Sequence, residues 1–231
     1  MDGVEERSAR AREGVSVLHL DLPRTGRRPL RILCIGAHSD DIEIGCGGTL
    51  LHLLATRRAS VEWVVMSAPG RRGTEARRGA ARFLRNAVEG RVLLHEFRDG
   101  FFPTEWPNIK EAFETLRSEI EPDLIFTHFR EDRHQDHRVL SDLTWNTFRD
   151  HQILEYEIPK WDGDLGRPNV YVPLTPAIAR RKVAGLMAVF ASQRSKRWFS
   201  EETFRALLRL RGIECGSEWA EGFYGRKVVV A

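Results

Sequence analysis

Two short segments of the chain combine histidine with aspartate at close spacing. The first is His38-Ser-Asp-Asp41 and the second is His134-Gln-Asp-His137. Imidazole nitrogens and carboxylate oxygens are the donors with which proteins hold zinc and similar cations. A site of three such ligands leaves a position for water, whose pKa the metal lowers toward about 7, and a further carboxylate can then act as general base. The two segments together predict metal-assisted hydrolysis.

The first segment has a simpler interpretation when it is taken alone. Asp40 or Asp41 could cap a following helix, because aspartate is among the preferred residues at helix N-termini, and His38 would then be an ordinary polar residue. The two interpretations carry similar weight for that segment. The second segment favours a metal centre, provided that the fold brings both segments together.

Both segments follow short apolar runs that are typical of buried strands. These runs cover residues 30–36 and 124–127. In open α/β sheets, ligands bind beyond the carboxyl ends of the strands, at the point where the strand order reverses. If the two strands are neighbours there, both His/Asp segments line one crevice.

The rest of the chain alternates predicted strands with predicted helices. Further strands are predicted over residues 61–67, 92–97, 153–158, 170–173 and 227–230, and helices over residues 49–58, 74–86, 108–120, 137–148, 176–191 and 200–211. This alternation predicts a Rossmann-like α/β fold, with a mainly parallel sheet flanked by helices. The length of 231 residues favours a single domain over residues 30–231, preceded by an N-terminal arm or tail over residues 1–29.

Composition argues against several classes of protein. The net charge of +3, from 36 basic and 33 acidic residues, is too balanced to predict nucleic-acid binding. The three cysteines form no C-x-x-C pair and no disulfide framework, which favours a reducing, cytoplasmic setting. No segment approaches the run of about 18 apolar residues that spans a membrane, so we expect no membrane partner.

The glycines at positions 45, 47 and 48 invite comparison with a dinucleotide-binding loop. That fingerprint needs a third glycine where Leu50 stands, and an acidic residue where the second strand ends at Ser67. The G-K-[ST] of a nucleotide phosphate-binding loop is also absent. We therefore expect these glycines to form a tight turn into a helix.

The longest irregular stretch of the predicted domain covers residues 159–169. Loops of this length often line a functional site. A surface connection with Trp161 packed against the body of the domain is equally compatible with the sequence. Tryptophans elsewhere could stack on a sugar, although we expect most of them in the core.

Residues 37–50, with the sequence AHSDDIEIGCGGTL, resemble the signature of the PIG-L/LmbE family of zinc-dependent N-deacetylases, which usually reads A-H-P-D-D-x-x-x-x-x-G-G-T. His134–His137 matches the family's H-x-D-H motif, and Arg72-Gly-Thr74 and Asp99-Gly100 resemble two weaker elements. These matches span residues 30 to 143 in the family's order. The resemblance implies a Rossmann-like enzyme that removes an acyl group, commonly acetyl, from the nitrogen of an amino sugar.

The resemblance also implies a metal centre. His38, Asp41 and His137 match the family's zinc ligands, so that one zinc ion per chain is expected, and Asp40 matches the general base. Ser39 stands where the family usually has proline. Since neither residue is a ligand, we expect this departure to change the rigidity of the turn and to leave the chemistry intact.

Four more residues take roles from the resemblance. His134 matches the residue that stabilises the oxyanion, and Asp136 would hold the His134 ring in its orientation, as carboxylates near metal centres commonly do. Arg72 and Asp99 match positions that contact the substrate in relatives.

The motifs define a reaction centre and leave the substrate open. We expect a small-molecule N-acylated amino sugar or its conjugate. A phosphate or nucleotide linkage is a hypothesis that rests on clustered arginines, namely Arg130, Arg133, Arg138 and Arg194. A thiol-conjugate amidase or another C–N hydrolase would use the same metal centre, and a non-catalytic sugar-binding relative would need neither Asp40 nor His134. The sequence leaves the possibility of a homo-oligomer open.

Overall fold

Apolar runs form the strands, and helices separate most of them. The computed structural model describes residues 26–228, so that most of the predicted N-terminal arm lies outside the described residues. The elements, in chain order, are β1 (Leu30–His38), α1 (Asp41–Thr56), β2 (Ala59–Ser67), α2 (Arg71–Phe83), β3 (Glu89–Leu94), α3 (Trp106–Glu119), β4 (Leu124–His128), α4 (Gln135–Thr147), β5 (Ile153–Tyr156), β6 (Val170–Leu174), α5 (Pro176–Val189), α6 (Glu201–Glu214) and β7 (Trp219–Gly225).

The strands form one seven-stranded sheet in the order β3-β2-β1-β4-β5-β7-β6. Strands β3, β2, β1, β4 and β5 run parallel, and β7 runs antiparallel to both of its neighbours. The chain order reverses between β1 and β4, and a crevice therefore opens at the carboxyl ends of these two strands. The predicted single-domain α/β fold with a mainly parallel sheet is confirmed.

Both faces of the sheet are covered. On β1, Ile32 and Cys34 belong to the core under α1, α2, α5 and α6, whereas Leu33 and Ile35 belong to the core under α3 and α4. A strand that is buried on both faces reads as a continuous apolar run. This double burial explains why the central strands were predictable.

Helix α1 begins at Asp41, whereas we predict its start at residue 49. Gly45, Gly47 and Gly48 lie inside this helix, so the predicted tight turn is wrong. A Cβ atom at Gly45 would lie 2.1 Å from the Tyr156 ring, and one at Gly47 would lie 2.6 Å from the Phe83 ring. Glycine is a poor helix former, and here close packing outweighs its low propensity.

A buried ion pair lies against the middle of α1. Glu221 on β7 accepts the backbone N–H groups of Gly48 and Thr49, at 2.7 and 2.6 Å. Lys182 on α5 donates to Glu221 and to the carbonyl oxygen of Ile44, both at 2.5 Å. In a regular helix, the Ile44 carbonyl and the Gly48 N–H would pair with each other. The ion pair thus takes up the hydrogen-bonding groups of this glycine-rich turn.

The predicted strand over residues 227–230 is not found in its described part. Lys227 and Val228 belong to no strand, and residues 229–230 lie outside the described residues. The strand that completes the sheet is β7, which carries Glu221 and Gly222 and therefore lacks an apolar run. Across residues 26–228, the helices are all too short or too polar to cross a membrane.

Candidate active site

Two chain segments meet at the crevice between β1 and β4. His38 is the last residue of β1, and Asp41 is the first residue of α1. The backbone N–H of His38 donates to Asp41 Oδ2 at 2.6 Å, which fixes the Asp41 side chain beneath the turn. After β4, His134 precedes α4 as its N-cap residue and His137 lies in the first turn of that helix. The two predicted His/Asp segments therefore meet at the switch point.

His38, Asp41 and His137 form a buried triangle of ligand atoms. His38 Nδ1 lies 3.4 Å from Asp41 Oδ2 and 3.3 Å from His137 Nε2, and His137 Nε2 lies 3.6 Å from Asp41 Oδ2. Tetrahedral zinc with bonds of about 2.0–2.1 Å would set its ligand atoms about 3.4 Å apart. The donor set and its spacing therefore fit a zinc ion.

The outer nitrogen of each histidine faces a carboxylate. His38 Nε2 lies 3.2 Å from Asp136 Oδ2 and 3.0 Å from Asp99 Oδ1, and His137 Nδ1 lies 2.9 Å from Asp132 Oδ2. An imidazole that donates its N–H outward turns the lone pair of its other nitrogen inward. With both rings in that tautomer, two lone pairs converge beside the Asp41 carboxylate, an arrangement that a cation would stabilise.

The protonation states of His137 and Asp41 favour the same arrangement, whereas the charge of Asp41 and hydrogen bonds to neighbouring carboxylates outweigh burial and raise the pKa of His38 well above its usual range. Burial and the neighbouring His128 lower the pKa of His137 to about 3, so that its ring is neutral near pH 7. Burial alone would raise the pKa of Asp41, but the imidazoles of His137, His128 and His38 outweigh it and hold this pKa well below its usual range. Neutral imidazole and ionised carboxylate are the forms that bind metals.

Asp132 is a member of the site that the sequence analysis missed. Its Oδ1 accepts the backbone N–H of His134 at 2.8 Å, and its Oδ2 contacts both His137 Nδ1 and Lys160 Nζ at 2.9 Å. Lys160 also donates to Asp164 at 2.5 Å. In the sequence, Asp132 stands among charged residues, where only its position two residues before His134 could have singled it out.

We expected the Asp136 carboxylate to hold the His134 ring, but it makes no hydrogen bond to that ring. That carboxylate is buried, accepts the backbone N–H groups of Gly100 and Phe102 at 2.6 and 3.1 Å, and faces His38. The backbone N–H of Asp136 donates to His134 Nδ1 at 3.3 Å instead. This contact is a helix cap, because the first N–H groups of α4 have no partner within the helix. Asp136 therefore orients His38 with its side chain and His134 with its backbone.

The cap contact determines which nitrogen of His134 carries the proton. Since Nδ1 accepts a hydrogen bond, the proton of the neutral ring lies on Nε2. Burial and the charge of His38 lower the pKa of His134, which favours this neutral form. His134 thus offers a neutral N–H donor at the cleft.

Asp40 lines the same cleft, and its side chain makes no capping hydrogen bond to α1. The helix-cap interpretation therefore does not account for this carboxylate. Burial and the adjacent charge of Asp41 raise the pKa of Asp40 to about 6. A carboxylate with a pKa close to neutrality is suited to exchange protons as a general base and acid.

Arg72 and Asp99 also line the cleft and contact each other. The Arg72 guanidinium donates to Asp99 Oδ2 at 2.5 Å, and the same carboxylate reaches His38 through Oδ1. The cleft has a volume of about 180 Å³, the space of about six water molecules.

The arginines of the phosphate hypothesis do not line the cleft, namely Arg130, Arg133, Arg138 and Arg194. Arg138 donates to two backbone carbonyl groups just before α4, and Arg194 donates to the carbonyl oxygen of Met187. The loop over residues 159–169 does reach the cleft, where it contributes Lys160, Trp161 and Asp162. Of the two interpretations of this loop, the structure favours the one in which it lines the site.

Comparisons with known proteins agree with this geometry. The model of the PIG-L family, described as GlcNAc-PI de-N-acetylase, matches residues 33–148. The uncharacterized deacetylase YaiS of Escherichia coli is 33% identical over 138 residues, which cover 55% of this chain and 74% of YaiS.

Two solved structures share the fold at low sequence identity. The N,N'-diacetylchitobiose deacetylase of Pyrococcus horikoshii has a TM-score of 0.66 at 20% identity, covering 89% of this chain and 86% of that one. GalB, a 4-carboxy-2-hydroxymuconate hydratase of Pseudomonas putida, has a TM-score of 0.66 at 16% identity, covering 87% of this chain and 98% of that one. The same fold therefore carries two different reactions.

Proposed function

Since this chain belongs to the PIG-L (GlcNAc-PI de-N-acetylase) family of deacetylases, we propose that it hydrolyses the amide of an N-acetylated amino sugar, or of a conjugate of one, with the help of zinc. The observation that carries this proposal is the buried triangle of His38, Asp41 and His137, in which the outer nitrogen of each imidazole faces a carboxylate and the two inner nitrogens lie 3.3 Å apart. We assign the activity to a single domain over residues 30–231.

Zinc held by His38, Asp41 and His137 would polarise the amide carbonyl and lower the pKa of the attacking water. Asp40 takes a proton from that water while the water oxygen forms a bond to the carbonyl carbon. His134 donates its Nε2 hydrogen to the carbonyl oxygen, which gains negative charge as the carbon becomes tetrahedral. The neutral state of His134 and the raised pKa of Asp40 support these roles.

The C–N bond breaks when the nitrogen receives a proton, because an amine anion is a poor leaving group. Asp40 delivers to this nitrogen the proton that it took from the water. The products are acetate and the free amine. Asp136 keeps His38 in place, and Arg72 with Asp99 supplies a donor and an acceptor for the hydroxyl groups of the sugar.

The names of several solved neighbours support a sugar substrate. These neighbours include the chitobiose deacetylase, a deacetylase of the A40926 pseudoaglycone and a deacetylase of teicoplanin. A thiol-conjugate amidase is the nearest alternative within the same chemistry. A hydratase, as in GalB, is the alternative on the same fold, and it would release no acetate.

Acetate release tests the proposal directly. The zinc-loaded protein is incubated with N-acetylglucosamine, N,N'-diacetylchitobiose and an N-acyl thiol conjugate, and acetate and free amine are measured. We expect equal amounts of both products from at least one sugar. Amine release from the thiol conjugate alone would favour the amidase, and no release from any amide would refute the proposed function.

Asp40→Asn tests the role of the base. We expect this variant to bind zinc like the wild type and to lose about 10²–10⁴-fold in turnover, since general base catalysis contributes that much. Asp162→Asn is the matched control, because Asp162 is an exposed carboxylate in the same cleft wall. Full activity of the Asp40 variant would exclude Asp40 as the base.

A further inference from the structure

Trp161 lies in the wall of the cleft, and 65% of its surface is exposed to solvent. An indole carries a large apolar face, which folding usually covers. Of the six tryptophans in the chain, Trp161 is the most exposed within the described residues. The proposed deacetylation assigns no role to this side chain.

A loose loop does not account for this exposure. Lys160, directly before Trp161, is buried and donates to Asp132 Oδ2 at 2.9 Å and to Asp164 Oδ2 at 2.5 Å. The backbone N–H of Arg133 donates to the same Asp164 oxygen at 2.7 Å. Buried ionic contacts therefore anchor the loop on both sides of Trp161.

The same anchor is joined to the metal centre. Asp132 Oδ2 contacts Lys160 Nζ and His137 Nδ1, each at 2.9 Å. The position of Trp161 relative to His137 is consequently set by a single carboxylate. A side chain that is held in this way can present a surface to a bound molecule with little loss of conformational freedom.

We propose that Trp161 is a stacking surface for the pyranose ring of the substrate, and that it sets affinity for the sugar. The inference rests on the proposed function, because it assigns the ring of the N-acetylated sugar to the indole. A pyranose has an apolar face of C–H groups and a polar edge of hydroxyl groups. The indole covers the apolar face, while Arg72 and Asp99 in the same cleft meet the polar edge.

Kinetics of three variants test the proposal. Trp161→Ala should raise KM for the sugar by about tenfold with little change in kcat, the scale expected for a lost aromatic contact. Trp161→Phe should recover part of the loss. Trp106→Ala is the matched control, because Trp106 is 42% exposed at the start of α3 and does not line the cleft. An equal effect of both alanine substitutions, or a fall in kcat alone, would overturn the inference.

Binding without turnover separates this inference from the proposed function. N-acetylglucosamine is added to Asp40→Asn protein, and saturation transfer from the protein to the ring protons is recorded by NMR. We expect transfer to the protons of one ring face and its loss in Asp40→Asn/Trp161→Ala. Binding with no acetate release by the zinc-loaded wild type would refute the deacetylase and leave the stacking surface standing.

Two results would overturn the stacking surface itself. The first is equal saturation transfer in the presence and absence of the indole. The second is a change in molecular mass by size-exclusion chromatography on Trp161→Ala, since the indole would then cover a contact between copies of the chain. Far-UV circular dichroism of each variant establishes that the fold is intact.

Discussion

Asp132→Asn should weaken zinc binding without touching any of the three ligands. Asp132 accepts three contacts, one at Oδ1 from the backbone of His134 and two at Oδ2 from His137 and Lys160. An asparagine has a single acceptor oxygen, so its NH₂ group must face at least one of these donors. The loss falls on the ring of His137 or on the first turn of α4.

The size of the effect follows from the geometry of His137. With its Nδ1 hydrogen bonded to a carboxylate, the ring keeps its Nε2 lone pair directed at His38 and Asp41. Loss of a carboxylate behind a metal-bound histidine costs about 10–100-fold in metal affinity. This range corresponds to about 1.4–2.7 kcal/mol. The ionised form is the one that acts, because burial alone would raise the pKa of Asp132, but the His137 hydrogen bond and the charges of His137, Lys160 and His128 together lower it.

Competition with a chromogenic chelator measures the zinc dissociation constant of each variant. Lys160→Met is the control, since it removes the ammonium and leaves the contact between Asp132 and His137 in place. We expect the control to lose less affinity than Asp132→Asn. A dissociation constant within twofold of wild type for Asp132→Asn would refute the reasoning. An equal loss in both variants would assign the effect to the ion pair, and the orientation of the ring would then be irrelevant.

Two further predictions concern stability. Lys182→Met should lower the free energy of unfolding in urea by about 3–5 kcal/mol, because it leaves the Glu221 carboxylate buried without its cation. The double variant Lys182→Met/Glu221→Gln should lose less stability than the sum of the two single variants, and additive losses would contradict this coupling. Burial lowers the pKa of His95 below 6.5 in the folded protein, so the unfolded chain takes up the proton first and stability falls as pH drops through that value. His95→Gln should reduce this fall between pH 7 and 5, and equal slopes in urea titrations of both proteins would argue against His95 as the source.

Burial on both faces made much of the sheet predictable. Strands β1, β2 and β4 are rich in apolar residues, and the structure places each of them within two residues of the predicted bounds. Strand β3 lies at an edge of the sheet, where its residues are exposed or only partly buried. Its observed bounds are shifted by three residues from the predicted ones. Strand β7 escaped prediction because its central glutamate is paired with Lys182, a partner that the fold alone brings near.

The residues of the site also divide into those that the sequence predicted and those that it did not. Close local spacing of histidine and aspartate predicted the two His/Asp segments, and the family resemblance implied His38, Asp41 and His137 as the ligands. Asp132 and Lys160 were not predicted, since their value to the site lies in contacts with each other and with His137 across a turn. Local spacing encodes the donors, whereas tertiary packing selects the groups that orient them.

The two histidines of the proposed metal centre lie at the end of β1 and at the start of α4, which follows the neighbouring strand β4, yet three helices and three strands separate them in the chain. During synthesis, a chain that has emerged only as far as β3 carries His38 and Asp41 without their third partner. In the proposed site, pairing of β1 with β4 would therefore precede binding of the ion, and zinc would stabilise the completed fold without nucleating it. Each further tenfold excess of free zinc over its dissociation constant would then add about 1.4 kcal/mol to the free energy of unfolding.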